Sequence, residues 1–192
     1  MTQDQRTGRK PGHLVLVVGP SGAGKDSLIE GARRALAEHP QFVFPRRIIT
    51  RRSDPGSEDH FTLSEGEFVQ QQAAGAFYLH WGAHDLRYAL PGSIADALAT
   101  GRTVIANVSR TVIEQARQRH PATTVIFVTA PQDVLEKRLL ARGREGIEAV
   151  KRRLARSAAL PEGPGVVTIL NDGPLEAAVE RFLAVLRAPA ET

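Results

Sequence analysis

Residues Gly19 to Ser27 read GPSGAGKDS and carry the densest chemistry in the chain. Glycines at 19, 22 and 24 let a backbone curl until its N–H groups point inward, and such a nest binds anions. Pro20, Ser21 and Ala23 fill the turn between them, so the whole stretch is a candidate cradle for ATP phosphates. Lys25 adds a mobile point charge that can reach the β- and γ-phosphates. A helix that starts here contributes the positive potential of its N-terminus. The spacing fits G-x-x-x-x-G-K, except that Asp26 stands where Ser or Thr is usual. That hydroxyl ordinarily ligates Mg²⁺. A carboxylate also holds Mg²⁺, directly or through water, and Ser27 offers a hydroxyl next door. Asp26 is therefore expected to help hold Mg²⁺. The alternative is that it only complements the helix dipole or nearby arginines.

Arginine is the second signal. KRLLARG (Lys137 to Gly143) is followed by KRRLARS (Lys151 to Ser157). Arg138 and Arg142 are four residues apart and share one helix face. Arg153 lies on the next segment, between Arg152 and Arg156, and Gly143 and Gly146 provide a hinge. Phosphoryl transfer spreads negative charge over the moving group, and planar guanidinium groups match it. An arginine-bearing lid would bring that charge in with the substrate and exclude water. PRRIITRR (Pro45 to Arg52) and SEDH (Ser57 to His60) read equally well as a second phosphate site or as a charged surface loop.

The elements that must position these groups follow from periodicity. Leu14 to Val18, LVLVV, is a continuous apolar run, the mark of a strand buried on both faces. Asp26 to Glu38 has helical composition. The runs Thr103 to Asn107, Thr123 to Thr129 and Gly165 to Leu170 read as further strands. Each precedes a helical segment: Ser109 to Arg119, Pro131 to Arg142 and Pro174 to Leu186. Strands alternating with helices predict an α/β fold around a mostly parallel sheet. Ser64 with Glu67 predicts a capping box for a helix through about Ala74. Pro91 and Pro131 suit first-turn positions, and Gly101 suits a left-handed helix end. The stretch from Arg46 to Tyr88 is less regular.

Composition narrows the class. The 192 residues suit one domain, and 42 % hydrophobic with 24 % charged residues is ordinary for a soluble chain. No apolar run approaches the roughly 20 residues that span a bilayer. The polar start MTQDQRTGRKPGH lacks a signal-peptide core. The absence of cysteine excludes thiolate chemistry and fits a reducing compartment, so the cytoplasm is expected. Net charge is +4, but aromatics are 5 % and do not interleave with the basic residues. That favours a small phosphorylated partner over nucleic acid.

On these motifs the chain resembles the guanylate kinases from Leu14 to about Leu186. The shared stretches are GPSGAGKDSL, ITR ending at Arg51, SEGEF from Ser64, Trp81 to Tyr88, RLLARG, KRRL and ILND ending at Asp172. The resemblance implies a phosphate-loop core with a five-stranded sheet flanked by helices (about 13–45, 90–142 and 164–187), an acceptor-binding insertion (about 46–89) and a helical lid (about 143–160). It implies that Arg138, Arg142 and Arg153 meet the donor phosphates, that Arg51 binds the acceptor phosphate, and that Asn171 lies near the donor base. The departures are specific. His80, Asn107 and Ser109 stand where that family reads guanine with acidic groups, His60 replaces a tyrosine, and Asp54 an arginine. GKDS, ITRRSDPGSEDH, AHDLRY and ANVSR instead resemble a branch of the family, the ribose 1,5-bisphosphate phosphokinases of phosphonate degradation, with Ala89 where that branch is expected to have glycine.

This second resemblance implies transfer from ATP, with Mg²⁺, to ribose 1,5-bisphosphate, forming phosphoribosyl pyrophosphate. Arg47, Arg51, Arg87 and Arg110 would clamp the two phosphates. His60, His84 and Asn107 would meet hydroxyls, with His80, Tyr88 and Ser109 completing the acceptor side; His84 reads equally as a buried structural histidine. Guanylate or another nucleoside monophosphate kinase is the rival, and a non-catalytic interaction module a more distant one. Monomer and homodimer are both open.

Overall fold

The computed structural model describes residues 11–51, 60–83, 85–141 and 160–188. Arg142, Arg153, His84 and nearly all of the expected lid lie outside them.

The main sheet has five parallel strands: β1 (His13–Val18), β2 (Phe42–Val43), β7 (Thr103–Asn107), β8 (Thr123–Thr129) and β9 (Val166–Leu170). Their order is β2-β7-β1-β8-β9. β1 is central because both of its faces are apolar. Leu14, Leu16 and Val18 enter one core, and Val15 and Val17 enter the other. β7 and β8 alternate in the same way, with Val104 and Val125 on the first side and Ile105 and Ile126 on the second.

The second core is closed by helices α1 (Lys25–Ala35), α5 (Gln132–Ala141) and α6 (Leu175–Arg187). Their apolar stripes supply Leu28, Leu135 and Phe182. The first core is closed by α3 (Ile94–Ala99) and α4 (Ile113–Arg119), which follows a 3₁₀ turn at Arg110–Val112. Chain order reverses around β1, so its neighbours β7 and β8 leave a crevice at the carboxyl ends of the strands, where such sheets bind ligands.

The stretch read as irregular contains a second, four-stranded sheet. β3 (Arg47–Ile49), β4 (His60–Thr62), β5 (Phe77–Ala83) and β6 (Leu86–Pro91) lie in the order β4-β3-β6-β5. β3 and β4 are only three residues long, too short for an alternation to declare itself. Helix α2 (Glu65–Ala73) starts with the expected capping box: the Glu67 amide donates to Ser64 Oγ at 3.3 Å, and the Ser64 amide donates to Glu67 Oε2 at 2.7 Å. Its Phe68 packs against Phe77, with ring centroids 4.7 Å apart.

Gly101 takes φ 79° just beyond α3, as its position predicts. Pro91 does not open a helix. It ends β6 opposite Phe77, because the β5–β6 ladder runs that far, and α3 begins at Ile94. Ala89 is fully buried in β6, where a Cβ is ordinary and glycine is not required.

Candidate active site

The loop after β1 owes its course to its glycines. Gly19 has φ 144°, and a Cβ there would lie 2.0 Å from the Val128 carbonyl oxygen. Gly24 has φ 90° and passes so close to Asn171 that a Cβ would lie 2.4 Å from its Nδ2. The loop therefore threads between β8 and the end of β9 before α1 begins at Lys25. Ala23 donates its amide to the Pro20 carbonyl at 3.3 Å, which closes the turn that contains Ser21 and Gly22. The Lys25 ammonium folds back along the loop and donates to the carbonyls of Gly19 (2.8 Å) and Pro20 (3.0 Å). Asp26 and Ser27 are exposed in the first turn of α1.

Asn171 is buried against this loop. Its Nδ2 donates to the Ala23 carbonyl at 2.8 Å, and its amide to Thr129 at 2.7 Å. Arg138, on α5, donates to the Asn171 carbonyl at 3.0 Å and reaches the Gly22 carbonyl at 3.5 Å. The residue expected near the donor base thus braces the loop, and Arg138 is anchored at the loop's edge.

On the other side of the crevice, Asn107 ends β7 beside β1, in register with Val17. Its Nδ2 donates to Asp26 Oδ1 at 2.6 Å, across 81 residues of sequence. The Asn107 carbonyl accepts a long contact, 3.5 Å, from Arg47. The Arg47 guanidinium lies 5.4 Å from the centroid of the Tyr88 ring, which stacks on Trp81 at 5.6 Å and 6°. Asp26, Asn107, Arg46 and Arg47 line one cleft with Phe44 and Pro45. Arg51 lies further along. Its Nε is buried with no hydrogen-bond partner among the described residues. Its carbonyl engages the ring of buried His60 at 3.2 Å and accepts from the Thr62 hydroxyl at 3.0 Å.

Other expected acceptor residues point elsewhere. Tyr88 belongs to the first core, so Arg87, next to it on β6, turns to the opposite face. There Arg87 pairs with Glu65 at 2.8 Å and lies over Phe68. His80 sits between Leu79 and Trp81, both in the first core, so it too turns to the other face, opposite Ala89. The Ser109 hydroxyl caps the 3₁₀ turn by accepting from the Thr111 amide at 3.3 Å, and Arg110 opens that turn, half-buried.

The Asp26–Asn107 bond, the Trp81–Tyr88 stack and the Arg87–Glu65 pair are absent from the sequence reading. The first had a signal available: Asn107 ends one apolar strand and the loop leading to Asp26 leaves the carboxyl end of another, where a parallel sheet gathers its ligand groups.

The sequence profile of the guanylate kinase family matches residues 11–188. The ribose 1,5-bisphosphate phosphokinase PhnN of Brucella melitensis is 47 % identical over 173 residues, which cover 90 % of each chain. A bifunctional ribose 1,5-bisphosphokinase-thymidine phosphorylase of Cupriavidus pinatubonensis is 49 % identical over 180 residues, 93 % of this chain; the chain spans 30 % of that relative's length. Among solved structures, a guanylate kinase from Anaplasma phagocytophilum superposes with a TM-score of 0.67 over 96 % of this chain and 89 % of its own, at 16 % identity, a likeness of fold. The profile match over nearly the whole chain and the close match to PhnN agree with the site just described: the chain belongs to the guanylate kinase family, in the branch that holds the ribose 1,5-bisphosphate phosphokinases.

Proposed function

We propose that the chain transfers the γ-phosphoryl group of ATP to ribose 1,5-bisphosphate, giving ADP and 5-phospho-ribose 1-diphosphate, a step of phosphonate catabolism in the cytoplasm. The observation that carries this reading is the 47 % identity, over nine-tenths of both chains, to a relative named for that phosphokinase. The geometry supports it, because Asp26, in the first turn of the helix that follows the phosphate loop, lines one cleft with Arg47 of the second sheet. The second sheet is then the acceptor-binding unit.

The chemistry asks little of a general base. An oxygen of the 1-phosphate is already anionic. It attacks the γ-phosphorus in line while the bond to the β–γ bridging oxygen breaks and ADP leaves. Catalysis is then positioning and charge compensation. Lys25 exchanges its bonds to the Gly19 and Pro20 carbonyls for bonds to phosphate oxygens. The loop N–H groups hold the β-phosphate, and Arg138 joins from the loop's edge with Arg142 and Arg153. Arg51, whose buried Nε is a donor without a partner among the described residues, and Arg47 hold the acceptor phosphates. The donor set of one carboxylate and one hydroxyl, Asp26 and Ser27, fits Mg²⁺, which keeps water and nucleotide phosphate among its ligands. When bound, that ion neutralises charge on the β- and γ-phosphates.

An acceptor screen with ATP and Mg²⁺ tests the reading, with ribose 1,5-bisphosphate, ribose 5-phosphate, GMP and AMP compared and products identified. Turnover of ribose 1,5-bisphosphate to the diphosphate is expected. Efficient turnover of GMP with none of the sugar bisphosphate would overturn it.

A further inference from the structure

Phosphate-loop enzymes commonly hold the nucleotide's Mg²⁺ between two protein groups: a hydroxyl just after the loop lysine, and the Asp of a neighbouring strand. In this chain the residue after Lys25 is Asp26, and the end of β7, the strand beside β1, is Asn107. The carboxylate and the neutral group have changed places. The two side chains also touch: Asn107 Nδ2 donates to Asp26 Oδ1 at 2.6 Å. A carboxylate only accepts, so the Asn107 side chain must present its N–H₂ end here. Asp at position 107 could not make this bond. Two carboxylates at that separation would repel, and only one would readily stay ionised.

We infer that Asp26 and Asn107 form a transposed metal-holding pair. Resting on the kinase reading above, the inference assigns Asp26 as the protein's anionic ligand for Mg²⁺ of the bound nucleotide. Asn107 is a positioning residue. Its side-chain amide holds one carboxylate oxygen and leaves the other for the ion, and its backbone carbonyl accepts a long contact from Arg47 of the second sheet. The net charge of the pair is the same as in the usual arrangement, with the negative group moved from strand to helix. There it also gains from the N-terminal potential of α1.

The test is a reciprocal exchange, read by calorimetric binding of a non-hydrolysable ATP analogue with and without Mg²⁺. Wild-type protein should bind the analogue more tightly with Mg²⁺. Asp26→Ser should lose about tenfold or more of that gain. Asp26→Ser combined with Asn107→Asp should recover it to within about threefold, a strongly non-additive result. Asn107→Ala leaves the loop sequence intact and covers the case in which Asp26→Ser does not fold. It should weaken apparent Mg²⁺ affinity about tenfold, far more than it weakens metal-free binding. A double variant no better than Asp26→Ser overturns the inference, as does an Asp26→Ser protein with the wild-type Mg²⁺ response. In either case the kinase reading survives if wild-type protein binds the analogue. Wild-type protein that does not bind it at all removes both.

Discussion

Lys25 and Arg51 have opposite local circumstances and predict different kinetic signatures. The Lys25 ammonium is held by loop carbonyls and, in the proposed reaction, moves to meet phosphate. Its charge then acts on the transferring group, where it grows in importance toward the transition state. Lys25→Met is expected to lower kcat by ~10²-fold or more, measured by coupled ADP release with folding checked by circular dichroism. Arg51, assigned to the acceptor phosphate in the proposed reaction, has its Nε buried and its backbone carbonyl engaged by His60 and Thr62. Arg51→Ala is expected to raise KM for the acceptor about tenfold or more while KM for ATP changes little, since one charge-assisted phosphate contact is worth ~1.5–3 kcal/mol. Equal increases in both would mark Arg51 as structural.

Helix α1 couples the phosphate loop to the far side of the second core, and one residue shows how closely. Gly31 lies in the helix interior, where Ala is ordinarily preferred by ~1 kcal/mol. Here a Cβ would sit 2.6 Å from a methyl of Val179 on α6. Val is β-branched and stiff, so it cannot simply swing away. Gly31→Ala is therefore expected to reverse the propensity rule and destabilise the fold by ~1–3 kcal/mol, read as a lower urea midpoint. Because α1 begins at Lys25, the same change should loosen nucleotide binding. The second sheet shows a different rule. Its strand alternation sends Tyr88 and Arg47 to the cleft side while Arg87 and His80 go to the other face. Four residues that look equivalent in a list are separated by a sheet's thickness.

At the scale of the whole molecule, the cleft and the half-buried His13 lie at opposite ends of the main sheet. The cleft is at the carboxyl ends of the strands. His13 opens β1 at the amino end, where its Nε2 meets the Thr124 hydroxyl at 2.9 Å, and His120 contacts the Gly12 carbonyl at 2.7 Å. Burial of His13, then the charge of His120, holds the His13 pKa below its ordinary 6.5. The unfolded chain then binds the proton more readily than the folded one. This contribution to stability is full above pH 6.5. It declines as pH falls from there toward the lowered folded value, and then levels off. Urea midpoints between pH 7.5 and 5.5 should show the decline, and His13→Gln should flatten it. An unchanged slope in that variant would place the sensitivity elsewhere.

Much of this protein is legible in linear order. The loop from Gly19 to Ser27 encodes its own backbone path, since glycine positions and a following helix are local properties. The core strands declare themselves because burial on both faces requires unbroken apolar runs, and the Ser64–Glu67 cap because its partners are three residues apart. Family membership follows from the same short motifs. The acceptor side was far less readable. Strands of three residues carry no period, and a list of arginines and histidines does not say which face each one takes. Asn171 became a brace for the loop, and Asn107 the partner of Asp26, only when β9 and β7 were set beside the phosphate loop. Those contacts span 148 and 81 residues, and they depend on strand order and register, which arise from packing two apolar cores against one sheet.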